Sequence, residues 1–220
     1  MHESPHILEL KKKQIDTSLG SLFLQVKNAI AEAMNCLADR NHAKCETLVR
    51  NDLRLNELRR NIEQDCLVAI ASQQPVAHDL RDLVADMRMA AELERMGDYA
   101  SDIAASIAQM DAASLDAVGA EEVQEMSVLC RQMLTEAMHA HQSDDTEMAR
   151  KVAARDDELD AHMRRMVDTV LEAMRRDPAL VNNGSRMLWV AHNLERCGDR
   201  ATNIAEQVLF RVDGTVEDLD

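Results

Sequence analysis

Apolar residues recur along this chain at spacings of three and four, and the recurrence runs for twenty to thirty residues at a time before polar residues interrupt it. That period belongs to amphipathic helices rather than strands. Read with the breaks, it predicts six helices, at about 7–38, 43–73, 76–110, 120–142, 145–176 and 184–211. The breaks fall at Asp39 to Asn41, Gln73 to Pro75, Asp111 to Gly119, Ser143-Asp144 and Asp177 to Gly184. Connections this short make successive helices antiparallel neighbours. The expected fold class is all-α.

The helices fall into two similar sets. Residues 90–104 read AAELERMGDYASDIA and residues 191–205 read AHNLERCGDRATNIA, identical at nine positions. Upstream, Asp52-x-x-Leu55-Asn56 corresponds to Asp156-x-x-Leu159-Asp160. The expected architecture is therefore two tandem three-helix bundles, 1–112 and 118–220, divided in the small-residue stretch DAASLDAVGA.

The duplicated cassette carries acids at i and i+4, Glu94 with Asp98 and Glu195 with Asp199, so each pair shares a helical face. In an antiparallel hairpin centred on Pro75, Asp52 stands opposite Asp98 and Asn56 opposite Glu94. In a hairpin centred between Asp177 and Pro178, Asp156 stands opposite Asp199 and Asp160 opposite Glu195. Small residues, among them Ala90, Gly97, Ala191 and Gly198, surround the acids, leaving space for an ion or for a closely approaching partner. Like charges at this spacing repel, and a bound cation removes the repulsion. An all-carboxylate set suits Mg, Mn, Ca, Fe or Zn. Arg95 and Arg196 are placed to reach carboxylates or a partner's anionic groups instead. The plain alternative is a solvated acidic face.

Composition narrows the function. With 40 acidic against 25 basic residues the net charge is −15, which opposes direct binding of nucleic acid or of an anionic membrane surface. Aromatics are only 2% of the chain and Met numbers 14, as suits helices. Five scattered cysteines without a paired motif suit reduced thiols and a cytoplasmic protein. No signal stretch or spanning run is present, so a membrane role is expected only through partners. A carboxylate-bridged di-metal oxidase needs two Glu-x-x-His steps, and only Glu136-x-x-His139 fits. The histidines stand in no phosphoacceptor context, and no phosphate loop or nucleophile motif occurs. A regulator is expected, not an enzyme.

With QQPVAHDLRDL at 73–83, LERMGD at 93–98, LERCGD at 194–199 and the Asp-xxx-Asn/Asp steps before each, the chain resembles the PhoU family over essentially its whole length. The resemblance implies a negative regulator of phosphate uptake and of the phosphate-starvation response. Its implied partners are the ATPase subunit of the phosphate ABC transporter and the phosphate-sensing histidine kinase, with homodimerisation. It also implies metal ions, Fe, Zn, Mn or Mg, at Asp52, Asn56, Glu94 and Asp98 and at Asp156, Asp160, Glu195 and Asp199. Asn56 departs from a strictly carboxylate pattern. The second set has one more formal charge, and His192 stands three residues before Glu195 as a further donor. A helical adaptor without metal is the surviving alternative.

Overall fold

The computed structural model describes residues 4–39, 45, 52–215 and 219, with backbone alone at 4–6, 52 and 53. Every regular element in them is helical: α1 (Ser4–Asp39), α2 (Asp52–Gln73), α3 (His78–Ile107), α4 (Ala120–Ser143), α5 (Thr146–Ala154), α6 (Asp156–Arg176) and α7 (Val181–Asp213). They form two tandem three-helix bundles, α1 to α3 and then α4, the α5–α6 arm and α7. Most of 43–51, where the expected second helix begins, lies outside the described residues.

The apolar period translates directly into burial. On α1 the residues Ile15, Leu19, Leu22, Val26, Ile30 and Leu37 are buried, three or four apart or a multiple of that step. On α3 the series is Met89, Leu93, Met96, Ala100, Ile103 and Ile107. On α7 it is Met187, Val190, Leu194, Cys197, Ala201, Ile204 and Val208. These two helices bury a second stripe as well, Ala90, Gly97 and Ala104 on one and Ala191, Gly198 and Ala205 on the other. They are the central helices of their bundles and make the most extensive contact between the halves. The buried apolar side chains form one contiguous core.

One expected helix is interrupted. The arm at 145–176 breaks at Arg155, whose N–H bonds to the Val152 carbonyl three residues back at 3.1 Å. The Arg155 guanidinium reaches across to Glu136 at 2.7 Å and Gln132 at 2.9 Å on α4. Periodicity alone does not register such a break, because the apolar stripe continues on both sides. The last helix starts earlier than expected, at Val181, and takes in the VNNGS stretch.

The connection between the halves is folded rather than loose. Asp111 caps a short 3₁₀ turn at Ala112–Ser114, and a second follows at Asp116–Val118. Gly119 then takes φ +84°, a left-handed conformation that opens α4. The buried Asn183 side chain accepts from the Asp111 N–H at 2.9 Å and donates to the Asp111 carbonyl at 2.8 Å. An amide that replaces both backbone partners of a chain turn holds the linker against α7.

Candidate functional site

Each duplicated cassette lies where the central helix of a bundle crosses its neighbour, and the crossing is close because of a glycine. A Cβ on Gly97 would stand 2.4 Å from Leu55 Cδ1, and one on Gly198 would stand 2.3 Å from Leu159 Cδ2. Both leucines are buried. The space left by the small residues is therefore filled at these two positions by the close approach of the neighbouring helix. What it does provide is proximity: Asp156 Oδ1 comes within 3.0 Å of the position a Gly198 Cβ would take.

The first cassette is partly neutralised by the protein itself. Glu94 and Asp98 are half-buried on α3, and Asn56 is half-buried on α2. Asp52 opens α2, but its side chain lies outside the described residues. Arg59 Nε stands 3.3 Å from Glu94 Oε1, and the same guanidinium pairs with Glu63. Arg59 lies outside the duplicated motifs of the sequence. Aligning the repeats through Asp52 and Asp156 sets it against Met163, and that difference is the signal that would have found it.

At the second cassette Met163 stands at the position of Arg59, and other arginines approach the acids. Asp156 opens α6, Asp160 lies one turn on, and Glu195 and Asp199 are half-buried on α7. Burial raises the Glu195 carboxyl above its ordinary range, and the charges of Asp199 and Asp160 add to the effect. His192 Nδ1, 3.2 Å from Glu195 Oε2, acts in the opposite sense. Asp160 is 3.5 Å from Arg164, and Asp199 is 3.9 Å from Arg200. The arrangement is a carboxylate group with mutual repulsion, a nearby imidazole, and arginines beside Asp160 and Asp199.

The cassette arginines point elsewhere. Arg95 pairs with Glu92 on its own helix at 2.9 Å. Arg196 lies over the Tyr99 ring of the other half, 4.4 Å from its centroid. Glu92 also receives Arg200 at 3.1 Å and Asn203 at 3.3 Å, so it ties α3 to α7.

Among the described residues, two groups of three side chains bring possible ligand atoms within 4.8 Å of one another, and neither is a cassette. One is Glu122, Glu125 and His162, where Glu122 already accepts from His162 at 2.8 Å and Arg165 at 3.1 Å. The other is Asp16, Asp86 and His141. Also among the described residues, no helix is long and apolar enough to cross a membrane.

Known proteins match this arrangement along its length. The family model for the PhoU domain matches twice, at residues 19–107 and 123–208. A phosphate-specific transport system accessory protein PhoU homolog of Caulobacter vibrioides is 33% identical over 198 residues, 90% of this chain and 85% of that protein. A protein of the same description from Clostridium acetobutylicum is 28% identical over 215 residues, covering 97% and 98%. The crystal structure of PhoU from Pseudomonas aeruginosa superposes with a TM-score of 0.89 at 28% identity, over 94% of this chain and 99% of that one. With a matching domain in each half and the duplicated LERxGD cassette at the heart of both, the chain belongs to the PhoU family.

Proposed function

We propose that this protein is a cytoplasmic negative regulator of phosphate uptake and of the phosphate-starvation response, an accessory component without catalytic activity of its own. The observation that carries the reading is the match of both halves to accessory proteins of phosphate-specific transport over nearly their whole lengths. Its partners on this reading are the ATPase subunit of the phosphate ABC transporter and the phosphate-sensing histidine kinase, with a second copy of the chain in a homodimer. The two functional units are 1–112 and 118–220. Deleting the gene should raise phosphate uptake and phosphate-regulon expression in phosphate-replete medium. Wild-type levels of both, in a host without a second family member, would overturn the proposal.

We further propose that Asp156, Asp160, Glu195 and Asp199 hold a metal ion of the Fe, Zn, Mn or Mg class, with His192 beside them. Asn56, Glu94 and Asp98, together with Asp52, make the weaker site. The residues of the second cassette fit a cation because a Glu195 carboxyl raised by burial and by Asp199 gains most from an added positive charge. At the first cassette Arg59 already supplies that charge to Glu94. Elemental analysis should show that Glu195→Gln with Asp199→Asn removes more metal than Glu94→Gln with Asp98→Asn. Equal losses would defeat the ranking, and a wild-type protein free of metal would leave the helical adaptor as the correct reading.

A further inference from the structure

The two halves also meet at a buried polar cluster that the duplicated cassettes do not include. Asp16 on α1 and Asp86 on α3 come from the first half, and His141 on α4 from the second. Their nearest ligand atoms lie within 4.8 Å of one another. Asp16 is exposed, while the side chains of Asp86 and His141 are only 3% and 5% exposed. Asp86 Oδ1 is buried without a hydrogen-bond partner and stands 3.6 Å from His141 Nε2, beyond hydrogen-bond reach. A carboxylate oxygen held in this way is unfavourable unless a cation, a donor or a proton meets it.

Two cations stand near the cluster, where their charges favour the ionised forms of Asp16 and Asp86, and each also holds other groups. Lys12 pairs with Asp79 at 2.9 Å and Asp82 at 2.6 Å. Arg211 on α7 pairs with Asp144, donates to the His141 carbonyl at 2.8 Å, and places Nη1 2.9 Å from His141 Nδ1 and 3.4 Å from Nε2. Beside the cluster is a cavity of about 160 Å³ lined by Asp16, His141 and Arg211 together with Leu19 and Met138, open enough to admit an ion with water.

We propose that Asp16, Asp86 and His141 form a binding site for a divalent cation of the zinc and manganese class, clamping the first half of the molecule to the second. Two carboxylate oxygens and one imidazole nitrogen make a three-ligand set of the kind such ions accept, with water from the cavity completing the shell. Burial keeps the His141 ring neutral and so able to ligate, pushing it down to about 3. Ligation through Nε2 puts the ring hydrogen on Nδ1, facing Arg211 Nη1. That nitrogen then withdraws, and Arg211 keeps Asp144 and the His141 carbonyl through Nη2. The site is separate from the cassettes and stands or falls apart from the function proposed above.

The test is a titration of Zn²⁺ into the full chain, followed by two-bond proton–nitrogen correlation spectra of the histidine rings, with His141 assigned by its loss in His141→Gln. The His141 ring nitrogens should shift to metal-ligated positions. Asp86→Asn should raise the Zn²⁺ concentration required at least tenfold, on the order of what loss of a supporting or ligating group costs. Glu195→Gln with Asp199→Asn should leave the His141 response unchanged. His192, beside Glu195, reports the cassette site in the same spectra, so the two proposals succeed or fail independently. If Asp86→Asn does not fold, Asp16→Asn at its exposed position carries the same comparison. The proposal is overturned if the His141 nitrogens keep their metal-free positions after every other Zn²⁺-dependent shift has saturated, or if neither aspartate variant weakens the response.

Discussion

Asp86 and His141 respond to the same burial in opposite senses. Desolvation, with the charge of Asp16 next, pushes the Asp86 carboxyl up to about 7, while desolvation and Arg211 push His141 down to about 3. In the unfolded chain Asp86 gives up its proton near pH 4. Between about pH 4 and 7 the native state therefore binds more protons at this residue, and stability falls as pH rises. His141 contributes the reverse slope: an unfolded histidine takes up a proton below about pH 6.5 and the native one does not, so stability falls as pH falls toward 3. Asp86→Asn removes the first slope alone. In chelator, the variant's stability relative to wild type should be lowest near pH 4 and rise until about pH 7, by at most about 1.4 kcal/mol per pH unit, then level off. Denaturant melts across that range check it, and a difference constant with pH would contradict the assignment of the slope to Asp86.

At the scale of elements, a glycine in mid-helix is worth explaining, because alanine there would stabilise the helix by about 1 kcal/mol. Gly97 and Gly198 are retained at the two crossings where Leu55 and Leu159 sit over the helix backbone. A methyl group at either position must displace a leucine that is itself buried among core residues, and overpacking of this kind costs about 1–3 kcal/mol. Gly198 has the tighter surroundings, since Asp156 Oδ1 is also close. Gly198→Ala should accordingly lower the melting temperature despite the gain in helix propensity. In a double-mutant cycle with Leu159→Ala the two losses should be less than additive, because the smaller side chain vacates the space. Strict additivity would show that the glycine serves something other than the leucine.

At the scale of the molecule, the halves are related by the repeat but are not energetically separate. Arg200 and Asn203 meet Glu92, Arg196 covers Tyr99, and Arg88 covers Phe210 at 4.9 Å, all between α3 and α7. Beneath these contacts the core is continuous, and Asn183 fastens the linker to α7. Thermal unfolding of the metal-free chain should therefore be a single cooperative transition, with calorimetric and van't Hoff enthalpies in agreement. Two resolved transitions would show that the halves melt as independent domains.

The amino-acid pattern by itself determined the helical class, the tandem duplication and the pairing of the cassettes with the preceding helix. Each of these depends on local period and on turn position, which are properties of neighbours in the chain. The register that brings Leu159 to Gly198 follows from the same source, within a turn of the expected centre. Tertiary structure decided the rest. At the break, Arg155 meets Glu136 and Gln132 of another helix; the neutralisation of Glu94 depends on Arg59 across a helix crossing, and the Asp86–His141 approach on two helices from different halves. Burial and charge at such points are set by residues far apart in sequence, so no single helix period carries them. That is why the acids, and the extra charge and His192 of the second set, were legible in the sequence, while the pairing of Arg59 with Glu94 emerged only when the helices were packed together.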